Sequence, residues 1–238
     1  MATLDEILDA YQKCKRIPSN LRTEKIPAGF ELIRKLLSNN SPEALELHYS
    51  LLADHSDRDT YLDVRSAFMD RKGGGDFLLD KLTQEQHETV VADIIQILGD
   101  QRNPKAYELA MSRLNDPSDR IREVCLFVIG WVGTENDIAT LAEHLLAEKT
   151  HKLRLAAAGA MRQIALRLPS AKASALSALK RAFYQDASQE GRTWVIIFMA
   201  SIAGKKLGLR EDDEDPYVVV GDYDKAVTRT EKFLESID

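Results

Sequence analysis

Cysteine is scarce in this sequence: Cys14 and Cys125 are the whole supply, far apart in the chain. Two such residues build neither a disulfide framework nor a cysteine-rich metal site, and so few cysteines suit a cytoplasmic protein. Long apolar runs are missing too. The most apolar stretch, Val195 to Ala203, is half the ~18 to 20 residues that a membrane span requires, and it reads as a buried helix. The opening MATLDEILDAYQ has no basic segment followed by an apolar core, so no secretory leader is expected. Aromatic residues make up only 7% and the net charge is −6, which argues against a broad base-stacking, phosphate-binding face. The 44% of hydrophobic and 29% of charged residues are those of an ordinary folded protein, long enough for one or two domains or one continuous solenoid.

Catalytic signatures are also lacking. There is no G-x-S-x-G elbow and no phosphate loop ending in Gly-Lys. His48, His55, His87, His144 and His151 are scattered, none in the helical His/Glu pairing of a zinc hydrolase, and they read as surface or turn histidines. No metal and no cofactor is expected. Arg71-Lys72-Gly73-Gly74-Gly75 could cradle an anion before a helix, but no strand precedes it, and a flexible turn is the better reading.

What the chain does have is a pattern used three times: an acidic residue, five residues of spacer, and an arginine opening an apolar helix. The pairs are Asp116 and Arg122, Glu148 and Arg154, and Asp186 and Arg192, with the arginines 32 and 38 residues apart. Such a period signals stacked helical hairpins. IREVCLFVIGWVG, LRLAAAGAMRQIA and RTWVIIFMASIAG are apolar nearly all round, as helices sandwiched between neighbours must be. Trp131 and Trp194 fall in these stretches and read as core residues. The segment FLLDKLTQEQHETVVADIIQILG has the same plan, Val90 aligning with Val124 and Gly99 with Gly133, but carries Leu82 and Glu88 at the two motif positions.

These residues resemble HEAT repeats, particularly the short HEAT-like units of the phycobilisome-lyase type, most clearly over residues 105–206. LNDPSDRIREVCLFVIGWVG carries the resemblance best: a leucine, Asp116-Pro117 at the turn, Arg122 opening the second helix, and small residues near its end. The resemblance implies an all-α, right-handed superhelical solenoid. It also implies a ladder of charge-assisted hydrogen bonds that links neighbouring repeats, built from Asp116, Arg122, Glu148, Arg154, Asp186 and Arg192. Each arginine has an acid six residues earlier, so Arg154→Ala is expected to strand Glu148.

Toward the amino end the pattern loosens. Leu4, Ile7, Leu8 and Tyr11 mark an amphipathic helix, and Pro18 and Pro27 are expected to bracket a connection. Phe30, Ile33, Leu36 and Leu37 form the next apolar stripe, and Ser41-Pro42-Glu43 is a good helix start. DHSDRDTYLDVRSAFMDRKGGGD is polar and poorly periodic. Its three glycines would cost a helix roughly 3 kcal/mol against alanine, so a loop is expected there. The expected division is a divergent helical region over 1–75, repeats over 76–206 and an acidic cap over 207–238, all in one folding unit.

Charge is partitioned: +2 over residues 1–40, −7 over 41–104, +5 over 105–206 and −6 over 207–238. Acidic flanks around a basic middle imply opposed patches or internal neutralisation. In the last segment five consecutive acids precede an extended PYVVV, a Gly221-Asp222 turn and a helix for which Asp224 is the expected cap. Acids interleaved with tyrosines have the composition of an interface for a basic partner. Glu211, Asp212, Asp213, Glu214, Asp215, Tyr217, Asp222 and Tyr223 are therefore the candidate partner-binding residues. The expected function is non-catalytic protein binding, in its sharpest form an immunity-type inhibitor covering the active site of a nuclease toxin. The alternatives are a HEAT-repeat scaffold or adaptor and, from the enzymes, a HEAT-type DNA-repair glycosylase.

Overall fold

The computed structural model describes every residue except Ala187, Pro216, Tyr217 and Asp238. The chain is all-α, with thirteen helices and one two-stranded antiparallel hairpin among the described residues. It divides into two compact units, Met1–Ala106 and Tyr107–Asp238. The helices expected to open the repeat array, between residues 74 and 100, thus pack within the first unit. Among the described residues no helix is long and apolar enough to cross a membrane.

The first unit holds α1 (Leu4–Arg16), α2 (Arg22–Ser38), α3 (Pro42–Leu52), α4 (Arg58–Met69), α5 (Gly74–Leu82) and α6 (Glu88–Asp100). Helix α1 starts at a capping box: Thr3 Oγ1 accepts from the Glu6 amide, and the Glu6 carboxylate accepts from the Thr3 amide. Ser41 caps α3, with Pro42 in the first turn. Two expectations fail here. Pro27 does not bound a connection but lies inside α2 as its sixth residue, where its missing amide leaves one bond of the helix unmade, and Phe30 on that helix is 68% exposed. The polar stretch before the glycines is not a loop but α4, which buries Thr60, Tyr61, Val64, Ala67 and Phe68 along one face. Only Gly73, with φ of 73°, forms the turn; Gly74 and Gly75 open α5.

Helix α4 touches α1, α2, α3, α5 and α6 and is the hub of this unit. Two buried cations lock it in place by meeting helix ends. Lys25 donates to the main-chain oxygens of Cys14 and Ile17 at the end of α1, and its ammonium lies 2.6 Å from Asp57, the N-cap of α4. Arg71, 3% exposed, donates to the carbonyls of Leu36 (2.6 Å) and Asn39 (2.5 Å) at the end of α2. It also donates to Nδ1 of His48 (3.1 Å), whose Nε2 donates to the Val64 carbonyl (2.9 Å) while the ring stacks on Phe68 at 3.7 Å. The anion-cradle alternative for Arg71 fails for this reason: its guanidinium faces inward and is engaged. His48 is likewise a fully buried residue, not a surface one.

Burial, with the Arg71 charge adding to it, pushes the His48 imidazole down from 6.5 to about 3. Because the folded value is depressed, the unfolded chain takes the proton first. Stability from this site is full above pH 6.5 and falls as pH drops toward 3, by about 2 kcal/mol at pH 5. The urea midpoint is therefore expected to fall between pH 7 and pH 5. In His48→Gln, less stable from the start, that slope should flatten; an equal fall in both proteins would place the acid sensitivity elsewhere.

Candidate protein-interaction surfaces

The second unit follows α7 (Ala106–Ser112) with α8 (Asp119–Val132) and packs α9 (Ile138–Ala147) on α10 (His151–Arg167) and α11 (Lys172–Gln185) on α12 (Gln189–Ala203). Helices α8, α10 and α12 lie side by side in one layer, with α9 beside α11 in the other. The first layer is the apolar one. Ala156, Ala157, Ala158, Ala160 and Met161 in α10 are all buried, since both flanks and one face of the helix are covered.

Each hairpin turn is built from the acid, a hydroxyl two residues later and the arginine four beyond that. Ser118, Thr150 and Ser188 are the N-caps of α8, α10 and α12. Asp116 and Asp186 each accept from the amide of the following cap. The arginine then reaches back, but to the main-chain oxygen of the acid and not to its carboxylate. Arg122 donates to Asp116 O (2.8 Å), Arg154 to Glu148 O (3.1 Å) and Arg192 to Asp186 O (2.7 Å). The carboxylate partner comes from the next repeat. Arg122 holds Glu148 through two nitrogens at 3.0 and 3.1 Å, and Arg154 faces Asp186 at 4.0 Å. At the ends of the series Asp116 pairs with Arg113, and Arg192 lies over the Phe183 ring. The expected link between neighbouring repeats is thus present, while the carboxylate six residues back is not the arginine's partner. Arg154→Ala does not strand Glu148, which keeps Arg122 and a 3.2 Å contact with His144. Burial raises the Glu148 carboxyl, yet its bonds to Arg122 and His144 outweigh that and hold it below the ordinary range.

Between the α9–α10 and α11–α12 hairpins lies a cleft of about 300 Å³, with walls that include Leu145, Leu146, Leu155, Trp194 and Val195. His151, Arg154 and Asp186 stand on its rim. Trp194 is half-buried, as is Trp131, so neither is the core residue expected. A cleft that mixes apolar and charged lining around a half-buried indole suits an amphipathic segment presented by a partner.

The acidic segment is dispersed by its fold. Strand β1 (Leu209–Glu211) pairs antiparallel with β2 (Val219–Gly221), Arg210 opposite Val220, and α13 (Tyr223–Leu234) follows. Glu211 lies in β1 and receives Arg162 at 2.7 Å. Asp212 closes the connection by accepting from the amides of Glu214 and Asp215. Asp213 pairs with Arg210 at 3.0 Å while staying 89% exposed, and Glu214 and Asp215 are exposed. Tyr217 lies outside the described residues. Asp222, not Asp224, caps α13, because the helix opens two residues before the position that a cap at Asp224 would give; Asp222 accepts from the Lys225 amide and pairs with its ammonium. Tyr223 is half-buried in the first turn. The seven described candidates therefore do not act alike: Glu211, Asp212, Asp213 and Asp222 make contacts within the chain.

Residues 75–162 match the family model described as HEAT repeats. Among solved structures, the chain is similar to an engineered protein from the Northeast Structural Genomics Consortium, at 13% identity and a TM-score of 0.45, over 82% of this chain and 97% of that one. It is also similar to a designed armadillo repeat protein, at 14% identity and a TM-score of 0.40, over 83% of this chain and all of the other. No curated protein matches.

The ladder ranks two substitutions. Arg122→Ala leaves the part-buried Glu148 with His144 alone and is expected to cost about 2 kcal/mol in urea unfolding. Arg154→Ala loses two carbonyl contacts and one long ion pair and should cost clearly less. A reversed order would refute the assignment.

Proposed function

We propose that this chain, whose residues 75–162 are HEAT repeats, is a non-catalytic scaffold that binds a protein partner. The observation that carries this is the cleft beside Trp194. Stacked hairpins commit most of their apolar surface to each other, so a cleft left open at a hairpin junction, with apolar side chains set among polar ones, is surface available to another molecule. A tryptophan that is half-covered in the free protein and covered on binding is a common centre of interface energy. The repeated arginines do not favour a nucleic-acid enzyme. Arg122, Arg154 and Arg192 all donate to turn carbonyls, so their charges are turned into the fold. Cytoplasmic action suits the two cysteines, both buried and free, with burial pushing the Cys125 thiol up to about 12.

The narrower alternative is an inhibitor that presents its acidic hairpin to a basic partner such as a nuclease toxin. Asp213, Glu214 and Asp215 at the exposed connection favour it. Glu211, Asp212 and Asp222 contribute less, being engaged within the chain.

Capture with the tagged chain from its own cells, at low and high salt, separates these readings. A scaffold using the cleft should retain its partners at high salt and lose them in Trp194→Ala, with a loss of about 2 kcal/mol or more in affinity. A single basic partner released by salt and by the triple change Asp213→Asn, Glu214→Gln, Asp215→Asn would establish the inhibitor instead. Nucleic acid recovered without protein would refute both.

A further inference from the structure

The second unit also gathers positive charge, in a groove beside the acidic hairpin. Its shape follows from the glycines after α12. Gly204 ends the helix in the left-handed region at φ of 63°, Lys205 and Lys206 follow, and Gly208 (φ 111°) turns the chain into β1. A side chain on Gly221 would stand 2.1 Å from the Gly208 oxygen, so only bare backbone lets the hairpin close there. Both β1 and α13 pack against α12, and Lys180 fixes the end of α13 by donating to the carbonyls of Leu234 and Ile237. These contacts enclose an open groove of about 880 Å³ whose apolar lining includes Ile197, Ala200, Leu209 and Val220.

Five cations line that groove: Arg162, Lys205, Lys206, Arg210 and Arg229. Two are already answered by the chain's own carboxylates, Arg162 by Glu211 at 2.7 Å and Arg210 by Asp213 at 3.0 Å. The other three, Lys205, Lys206 and Arg229, are exposed, and among the described residues their side chains have no ion-pair or hydrogen-bond partner. This local excess of positive charge facing an apolar lining is a recognition pattern with a readable complement. Glu211 shows what seats there: a carboxylate on Arg162, whose guanidinium lies 5.3 Å above the Phe198 ring. A continuous nucleic-acid backbone fits less well, since Glu211 and Asp213 line the same groove and would repel it. A peptide can place discrete carboxylates at the cations and apolar side chains between them.

We propose that this groove binds an acidic peptide segment of a protein partner, in which carboxylate and apolar side chains alternate. Lys205, Lys206 and Arg229 receive its carboxylates, and Glu211 and Asp213 act as built-in competitors. The groove is separate from the cleft beside Trp194, so either site can fail without the other.

Fluorescence anisotropy on the full chain tests this with three labelled probes: a peptide alternating Glu and Leu, its Gln and Leu counterpart, and a single-stranded DNA oligomer of equal charge. The Glu peptide should bind, less tightly as salt rises, and the Gln peptide should not. Charge reversal at Lys205→Glu, Lys206→Glu and Arg229→Glu changes only exposed positions, so the helical circular dichroism should persist while affinity falls about tenfold or more. Glu211→Gln, which frees Arg162, should tighten binding, and Trp194→Ala should leave it unchanged. Equal binding of the Gln peptide, tighter binding of DNA, absence of binding, or a charge-reversed variant that binds as well as the parent would each overturn the proposal.

Discussion

A helix ends in carbonyls that its own amides cannot reach, and a protein made of short helices joined by tight turns has many such ends to satisfy. This chain meets them with cations drawn from other helices. Lys25 serves the end of α1 and Arg71 the end of α2. In the second unit Arg167 donates to the carbonyls of Gly130 and Gly133 at the end of α8, and Lys180 serves the end of α13. Arg122, Arg154 and Arg192 do the same for the turns that precede their own helices. The stacking depends on this arrangement, because each cation belongs to one segment, a helix or, for Arg71, the turn between α4 and α5, and is bonded to the backbone of another. Removing the guanidinium therefore loosens a junction as well as deleting a charge.

That use of charge explains which parts of the fold are legible in the sequence. The apolar second helices are, because burial on three sides leaves almost no polar residue in VCLFVIG or VIIFMA. The turns are, because an acid, a hydroxyl cap and an arginine occupy fixed local positions. Helix α4 is not, although its buried residues 60, 61, 64, 67 and 68 have helical spacing. Its acidic and basic residues mask the stripe, and one of the buried positions is a threonine bonded to Lys25. His48 and Arg71 mislead in the same way, since a buried polar cluster looks like surface until its partners are known.

The partners themselves lie at longer range. Arg122 and Glu148 are 26 residues apart and Arg162 and Glu211 are 49 apart, so local spacing favours the acid six residues back over the true partner. Stacking decides otherwise: the arginine bonds the main-chain oxygen of the acid six residues back, while the neighbouring hairpin delivers a carboxylate to it. Of the candidate site, the sequence accordingly reveals the composition of the acidic segment but not its use. Strands of three residues are too short to show an alternating pattern, and the cations of the groove come from three separate stretches of chain.

The two opposed charge populations at the carboxy end act on each other before any partner arrives. Glu211 and Asp213 sit on the same hairpin as the groove they line, so their effective concentration at Arg162 and Arg210 is far above that of a free ligand. A lone carboxylate on a partner has nothing to gain by displacing them. A segment with several carboxylates can engage Lys205, Lys206 and Arg229 first, and then contest the remaining arginines with its own local concentration raised by that attachment. The internal ion pairs thus work as a threshold: they set aside isolated acidic groups and favour segments whose charges recur at the spacing of the groove.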